Sequence, residues 1–400
     1  MPQKKEVLAV NWEDGMKLDE SHFIQTSQYL EDSLRDIRAQ GMTDHNFGLL
    51  RAGQLSMPSL SVQVDDDQVV VTNCSAITRD GYRIEIMDQE WAILRQPTTE
   101  LLGTSSVPQG SDWYVIIMCR DKEWKKVGKP NPNEKKVRHP HLIPLYELHI
   151  IPTEQINNNT FWGSAIPIAR IKGGYGGLQR DSSYIPPCTK LSVHPEMRRL
   201  HETYREQLQQ IKLSCSEIIN TIRDQRRKKN MAQYSEDIDF VCRSVYRSIS
   251  STSTRYKILL PDLPPVHWVT YFIQLAIDIR GAMKTTMKYK KELISYYDHI
   301  ISYFQWNVYD EILEKVAVAS YDHSHVRPLL SDIEKMLDAQ VQFFTSLKGV
   351  DYELLGKYDP LTQDLPPTSA RRSPQTTKPP TKDKKKIDIK KNRDWQQLDD

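Results

Sequence analysis

Hydrophobic and polar positions alternate along the first half of this chain and recur at helical intervals along the second. Val62-Gln63-Val64 and Val69-Val70-Val71 flank an acidic turn, Asp65-Asp66-Asp67, which predicts a hairpin. Residues 82–86 alternate as a half-buried strand does, and 113–119, 145–151 and 166–171 predict further strands. The Lys-, Pro- and Asn-rich stretch 122–141 reads as a long exposed loop. Strands this numerous, separated by turn residues and without strand–helix alternation, favour a sandwich or barrel-like domain over a nucleotide-binding fold.

The period changes after Pro187. Leu200, Tyr204, Leu208, Ile211, Cys215, Ile218 and Ile222 follow one another at steps of four and three, close to a heptad seam. Burying seven such side chains contributes on the order of 10–20 kcal/mol before chain entropy is subtracted. A lone helix cannot bury them, so the seam belongs to a bundle core, to a trimeric stalk, or to both. Helical spacing continues over 238–249, 266–287, 293–316 and 329–347, interrupted by Pro261, Pro264 and Pro265. A four- or five-helix bundle is expected. The last stretch has too little apolar material to offset the entropy of ordering, and only Trp395 and Leu398 stand out as adhesive residues. The expected class is therefore α+β and multidomain: a β-rich domain over 1–190, a helical bundle over 191–355 and a disordered tail over 356–400.

One corner near the start is the most informative segment. A short apolar run, 7–12, meets Gly15, and Asp19 stands where it can cap the helix that follows, with Glu20 in the first turn. Trp12, Met16, Leu18 and Phe23 gather around this expected strand–turn–helix corner, which reads as a packing device with no catalytic character.

Composition narrows the function classes. The chain has 400 residues, 26% charged and 38% hydrophobic, which is enough apolar material for real cores. A net charge of +2 supplies no global field for nucleic acid. Five scattered cysteines form no Cys-x-x-Cys pair, and their odd number argues for reduced thiols in a cytoplasmic protein. The apolar run at the N-terminus is too short for a signal peptide, and no stretch is long enough to span a membrane.

Candidate chemistry is sparse. His139-Pro140-His141 and His323-Ser324-His325 have no cysteine or carboxylate cluster at ligand spacing, so both read as solvent-exposed loop histidines. His22 lies at a helix start without a nucleophile beside it and reads as a local hydrogen-bonding residue. Gly173-Gly174-Tyr175-Gly176-Gly177 lacks the Gly-Lys-Ser/Thr ending that cradles phosphate and reads as a flexible turn. The Lys382–Lys386 run is interleaved with acid and reads as a solvated charge cluster. No catalytic residue, metal site, cofactor, nucleic acid or small-molecule substrate is expected.

The corner resembles the N-terminal signature of the TssK family of bacterial type VI secretion baseplate subunits. Trp12, Asp14-Gly15-Met16, Leu18 and His22-Phe23 match that signature, with Ile24 intervening before Gln25. Tyr184-Ile185-Pro186-Pro187 is similar to the stretch that closes the family's β-rich shell domain before a long helix. Leu263-Pro264-Pro265, ahead of an apolar helix carrying Gly281, is like its middle helical region. The resemblance covers roughly residues 7–300. It implies a non-enzymatic homotrimer that joins a TssF–TssG wedge through its N-terminal side and docks on the membrane complex through its C-terminal region. It also implies a cytoplasmic protein, peripheral at the inner face of the inner membrane when assembled. The family's compact C-terminal head is expected to be reduced here, with the tail around Trp395 and Leu398 substituting as a tethered docking peptide. The alternative is a helical adaptor or scaffold unrelated to secretion.

Overall fold

The computed structural model describes residues 7–349 apart from 52–57, 66, 88, 91, 99–109, 131, 134, 136, 157–162, 175–176, 228–232 and 287–305. Trp395, Leu398, the Lys382 cluster and the rest of the expected tail lie outside the described residues.

Among the described residues a first helix, α1 (Glu20–Gln40), precedes nine strands. Five form one antiparallel sheet: β1 (Gly48–Leu49), β2 (Leu60–Val64), β3 (Gln68–Ile77), β4 (Arg83–Ile86) and β5 (Leu94–Pro97). The ten-residue β3 is its spine and pairs with all four others. Val64 faces Val69 across the predicted acidic turn, and β4 alternates exposed and buried positions as its sequence does. A second antiparallel sheet, in the order β7-β6-β8-β9, comprises β6 (Asp112–Val127), β7 (His141–Pro152), β8 (Ala165–Gly174) and β9 (Gly177–Arg180). Val69, Val71 and Ile84 of the first sheet share one core with Val115, Ile117, Ile166 and Ile168 of the second. The β-rich half is thus two sheets closed on a common apolar interior.

Two expectations need correction. The apolar run 7–12 forms no strand, and Leu8 stands exposed, so the corner is turn and helix only. The expected loop 122–141 is largely strand at its start. Trp124 to Val127 pair with Pro144 to His141, beyond the point where β8 stops covering β6. Paired on one side, with Trp124, Lys125 and Lys126 exposed and Val127 buried, that ribbon carries its lysines in water. The glycine-rich segment is the tip of the β8–β9 hairpin, with Gly174 facing Gly177.

The described residues of the second half form a ring of five helices: α2 (Pro195–Arg227), α3 (Gln233–Ile258), α4 (Pro265–Thr286), α5 (Trp306–Ala317) and α6 (Arg327–Lys348). Each packs against the next, and α6 returns to α2. The start of the predicted helix over 293–316 lies outside the described residues. All seven seam residues from Leu200 to Ile222 are buried within this one chain, together with Phe272, Ile333 and Phe344. Their apolar surface is therefore used intramolecularly. Tyr204 stacks on Trp268 at 5.2 Å, and its hydroxyl donates to the Leu330 carbonyl of α6 at 3.0 Å. Trp268 donates to the Tyr256 hydroxyl at 3.0 Å, so the polar tips of Tyr204 and Trp268 are satisfied.

Candidate interaction surface

Asp19 caps α1 as its position predicts: its carboxylate accepts from the Ser21 backbone N–H at 2.8 Å. His22 completes the box, its Nδ1 accepting from the Asp19 N–H at 3.2 Å. The carboxylate's hydrogen bond from the Ser21 hydroxyl holds the Asp19 pKa below its ordinary value. Gly15 takes a positive φ at the turn, and the Met16 N–H donates to the Glu13 carbonyl at 3.2 Å. The signature residues Trp12, Leu18 and Phe23 stand out from the surface, with the Trp12 ring 6.3 Å from Phe23 and 6.1 Å from His22.

The orientation of α1 is the unexpected feature. It lies on the β-rich half through its charged side: Asp32 and Arg35 are each only 8% exposed. Their side chains pair at 3.2 Å, and Arg35 donates to the Tyr82 hydroxyl at 3.1 Å with its guanidinium 5.2 Å from that ring's centre. Gly81, at φ +85°, makes this approach feasible, because a Cβ there would come within 2.6 Å of the Arg35 carbonyl oxygen. The apolar side is left outward, with Phe23 57%, Leu30 55% and Ile37 66% exposed. Periodicity predicts that such a stripe exists; it does not say which way the stripe faces.

The second signature, Tyr184 to Pro187, is wholly buried and joins the two halves. The Leu49 N–H donates to the Pro187 carbonyl at 2.8 Å, and the Thr189 N–H returns to the Leu49 carbonyl at 3.0 Å. Gly48, at φ +122°, lets β1 close on this segment, since a Cβ would lie 2.2 Å from the Pro187 oxygen. Tyr184 meets Tyr114 edge to face at 5.5 Å and donates to the Ser324 carbonyl at 3.1 Å. Its partner loop, between α5 and α6, carries the second histidine pair. Here the expectation of solvent-exposed histidines fails: His323 is buried and His325 is half-buried. His323 Nε2 lies 2.7 Å from the Phe47 carbonyl oxygen, so that nitrogen carries the proton, and Nδ1 accepts from the Tyr321 hydroxyl at 2.7 Å. Burial pushes the His323 pKa down to about 4, and burial likewise lowers that of His325, whose Nδ1 lies 3.2 Å from the Tyr114 hydroxyl. His139 and His141 are exposed, as expected.

No group of three or more His, Cys, Asp or Glu placed to hold a metal occurs among the described residues. The five cysteines form no disulfide and are buried, and burial pushes Cys74 up to about 12, far from the thiolate a nucleophile needs. No helix among the described residues is long and apolar enough to cross a membrane.

No protein-family model and no curated protein matches the chain. Solved structures do. What the chain is similar to is TssK. One crystal structure of TssK is 16% identical over 85% of this chain and 70% of that one, at a TM-score of 0.49. The TssK-TssF-TssG subcomplex of a type VI secretion baseplate, seen by cryo-electron microscopy, gives 16%, 84% and 100%, at 0.45. A type VI baseplate complex gives 17%, 83% and 99%, at 0.49.

Proposed function

We propose that this chain is a structural subunit of a type VI secretion baseplate, working as TssK-family members do. In this reading it is a homotrimer that binds TssF- and TssG-like wedge proteins and links them to a membrane-anchored complex. The observation that carries it is the outward apolar face of α1, from Phe23 to Ile37, beside the signature corner at Trp12. A helix that buries its ion pair and turns a contiguous apolar stripe outward marks a surface that another chain covers. Two further facts support a scaffold. Two histidines serve the structure, His22 as a cap and His323 as a link to Phe47. The Tyr184–Pro187 signature ties the β-rich half to the bundle, as a rigid connector needs.

The test is affinity purification of the tagged full-length chain from its native cells, followed by mass spectrometry. Recovery of wedge-like partners in fixed ratio is the expected result. Recovery of partners unrelated to a contractile machine would overturn the proposal in favour of a helical adaptor.

A further inference from the structure

Helix α1 offers one continuous seam to the outside. Phe23, Ser27, Leu30, Leu34 and Ile37 follow at steps of four, three, four and three, and all are exposed. That is the spacing of knobs-into-holes packing between helices of the same kind. Asp32 and Arg35, which hold the helix to its own β-rich half, lie roughly 120–180° away round the axis. The seam is therefore presented squarely outward on a helix already fixed by Tyr82 and Gly81.

The flanks decide what can cover it. One flank carries Thr26, Ser33 and Gln40, all uncharged, and the other carries Glu31 and Arg38. Where identical helices pair in parallel, each flank meets the opposite flank of its neighbour, so no like charges are brought together. A strongly charged partner would find nothing to select it here. Phe23, Leu30, Leu34 and Ile37 are 47–66% exposed, a contiguous apolar stripe of the kind that marks a protein–protein contact.

We infer that α1 is the element through which copies of this chain join: the seam from Phe23 to Ile37 packs against the same seam of α1 in neighbouring copies, parallel and around their symmetry axis. This deepens the assembly reading and rests on it for the presence of more than one copy. The bundle seam beginning at Leu200 is buried within its own chain and is not the joint.

Two full-length variants test it. Leu30→Glu with Leu34→Glu places like charges along the seam, and light scattering after size exclusion is expected to drop from the oligomer's mass to the single chain's. Leu34→Cys, treated with a short bis-maleimide, is expected to yield covalent dimers. Lys129→Cys, on an exposed loop, serves as the control, and the five native thiols are buried. Should the double variant fail to fold, the Leu34→Cys cross-link decides alone. An oligomer that survives the double substitution, with no more cross-linking at position 34 than at 129, overturns the inference and leaves the assembly reading standing. That result would assign the face to a different protein. A wild-type chain that stays single at every concentration overturns both.

Discussion

His323 Nε2 and the carbonyl oxygen of Phe47 lie 2.7 Å apart although 276 residues separate them in the chain. This contact, with Tyr184 on Ser324 and Tyr114 on His325, fastens the loop before α6 to the β-rich half. The two halves therefore meet through specific polar bonds whose strength depends on histidine staying neutral.

That dependence gives a pH prediction. His323 titrates near 6.5 in the unfolded chain and at about 4 in the folded one, because burial disfavours its charged form. The unfolded state binds the extra proton between those values, so stability is fully present above pH 6.5 and falls as pH drops towards 4. The loss from this one group is of the order of 3 kcal/mol. Urea midpoints of the wild type and of His323→Gln, measured from pH 7.5 to 4.5, are expected to converge as the pH falls. His194, also pushed to about 4 by burial, adds a similar loss to both proteins. Parallel curves for the two would contradict the assignment.

Gly48→Ala is expected to destabilise the chain by about 2–4 kcal/mol, since the new methyl would overlap the Pro187 carbonyl and adopt an unfavourable φ. Gly281→Ala, in α4 with nothing within 4 Å of its Cβ position, is expected to stabilise by about 0.5–1 kcal/mol. Chemical unfolding of both separates a steric requirement from a helix-propensity effect.

Ile211→Ala removes a side chain only 1% exposed, and the resulting cavity is expected to cost about 2–5 kcal/mol. Its light-scattering mass is expected to equal the wild type's, because the α2 seam serves its own chain. A change of assembly state with unchanged unfolding would assign that seam to an intersubunit stalk.

Arg35→Ala leaves the Asp32 carboxylate buried without its ion partner and is expected to cost about 2–4 kcal/mol. Hydrogen exchange should locate the effect in α1, whose amides lose protection before those of the bundle do.

Much of this architecture is written locally. The 4-3-4 spacing from Leu200 to Ile222 specifies a buried helix face, Asp19 specifies a cap, and the paired valines around Asp65 specify a hairpin. What escaped the sequence depends on distant neighbours. His323 looks like a polar loop residue until Phe47 and Tyr321 close over it. Trp124 to Val127 carry no alternation because only β7 accompanies them. The α1 stripe is visible in sequence, yet its direction is set by Arg35 finding Tyr82, a contact across 47 residues. The local sign of that direction is the ion-pair spacing of Asp32 and Arg35 on the side of the helix opposite the stripe.

The most direct measurement is the solution mass of the full-length chain over a wide concentration range, by light scattering or sedimentation. A structural subunit joined through α1 predicts roughly three times the single-chain 46.5 kDa, persisting on dilution into the micromolar range. A mass of 46.5 kDa at every concentration would contradict the account.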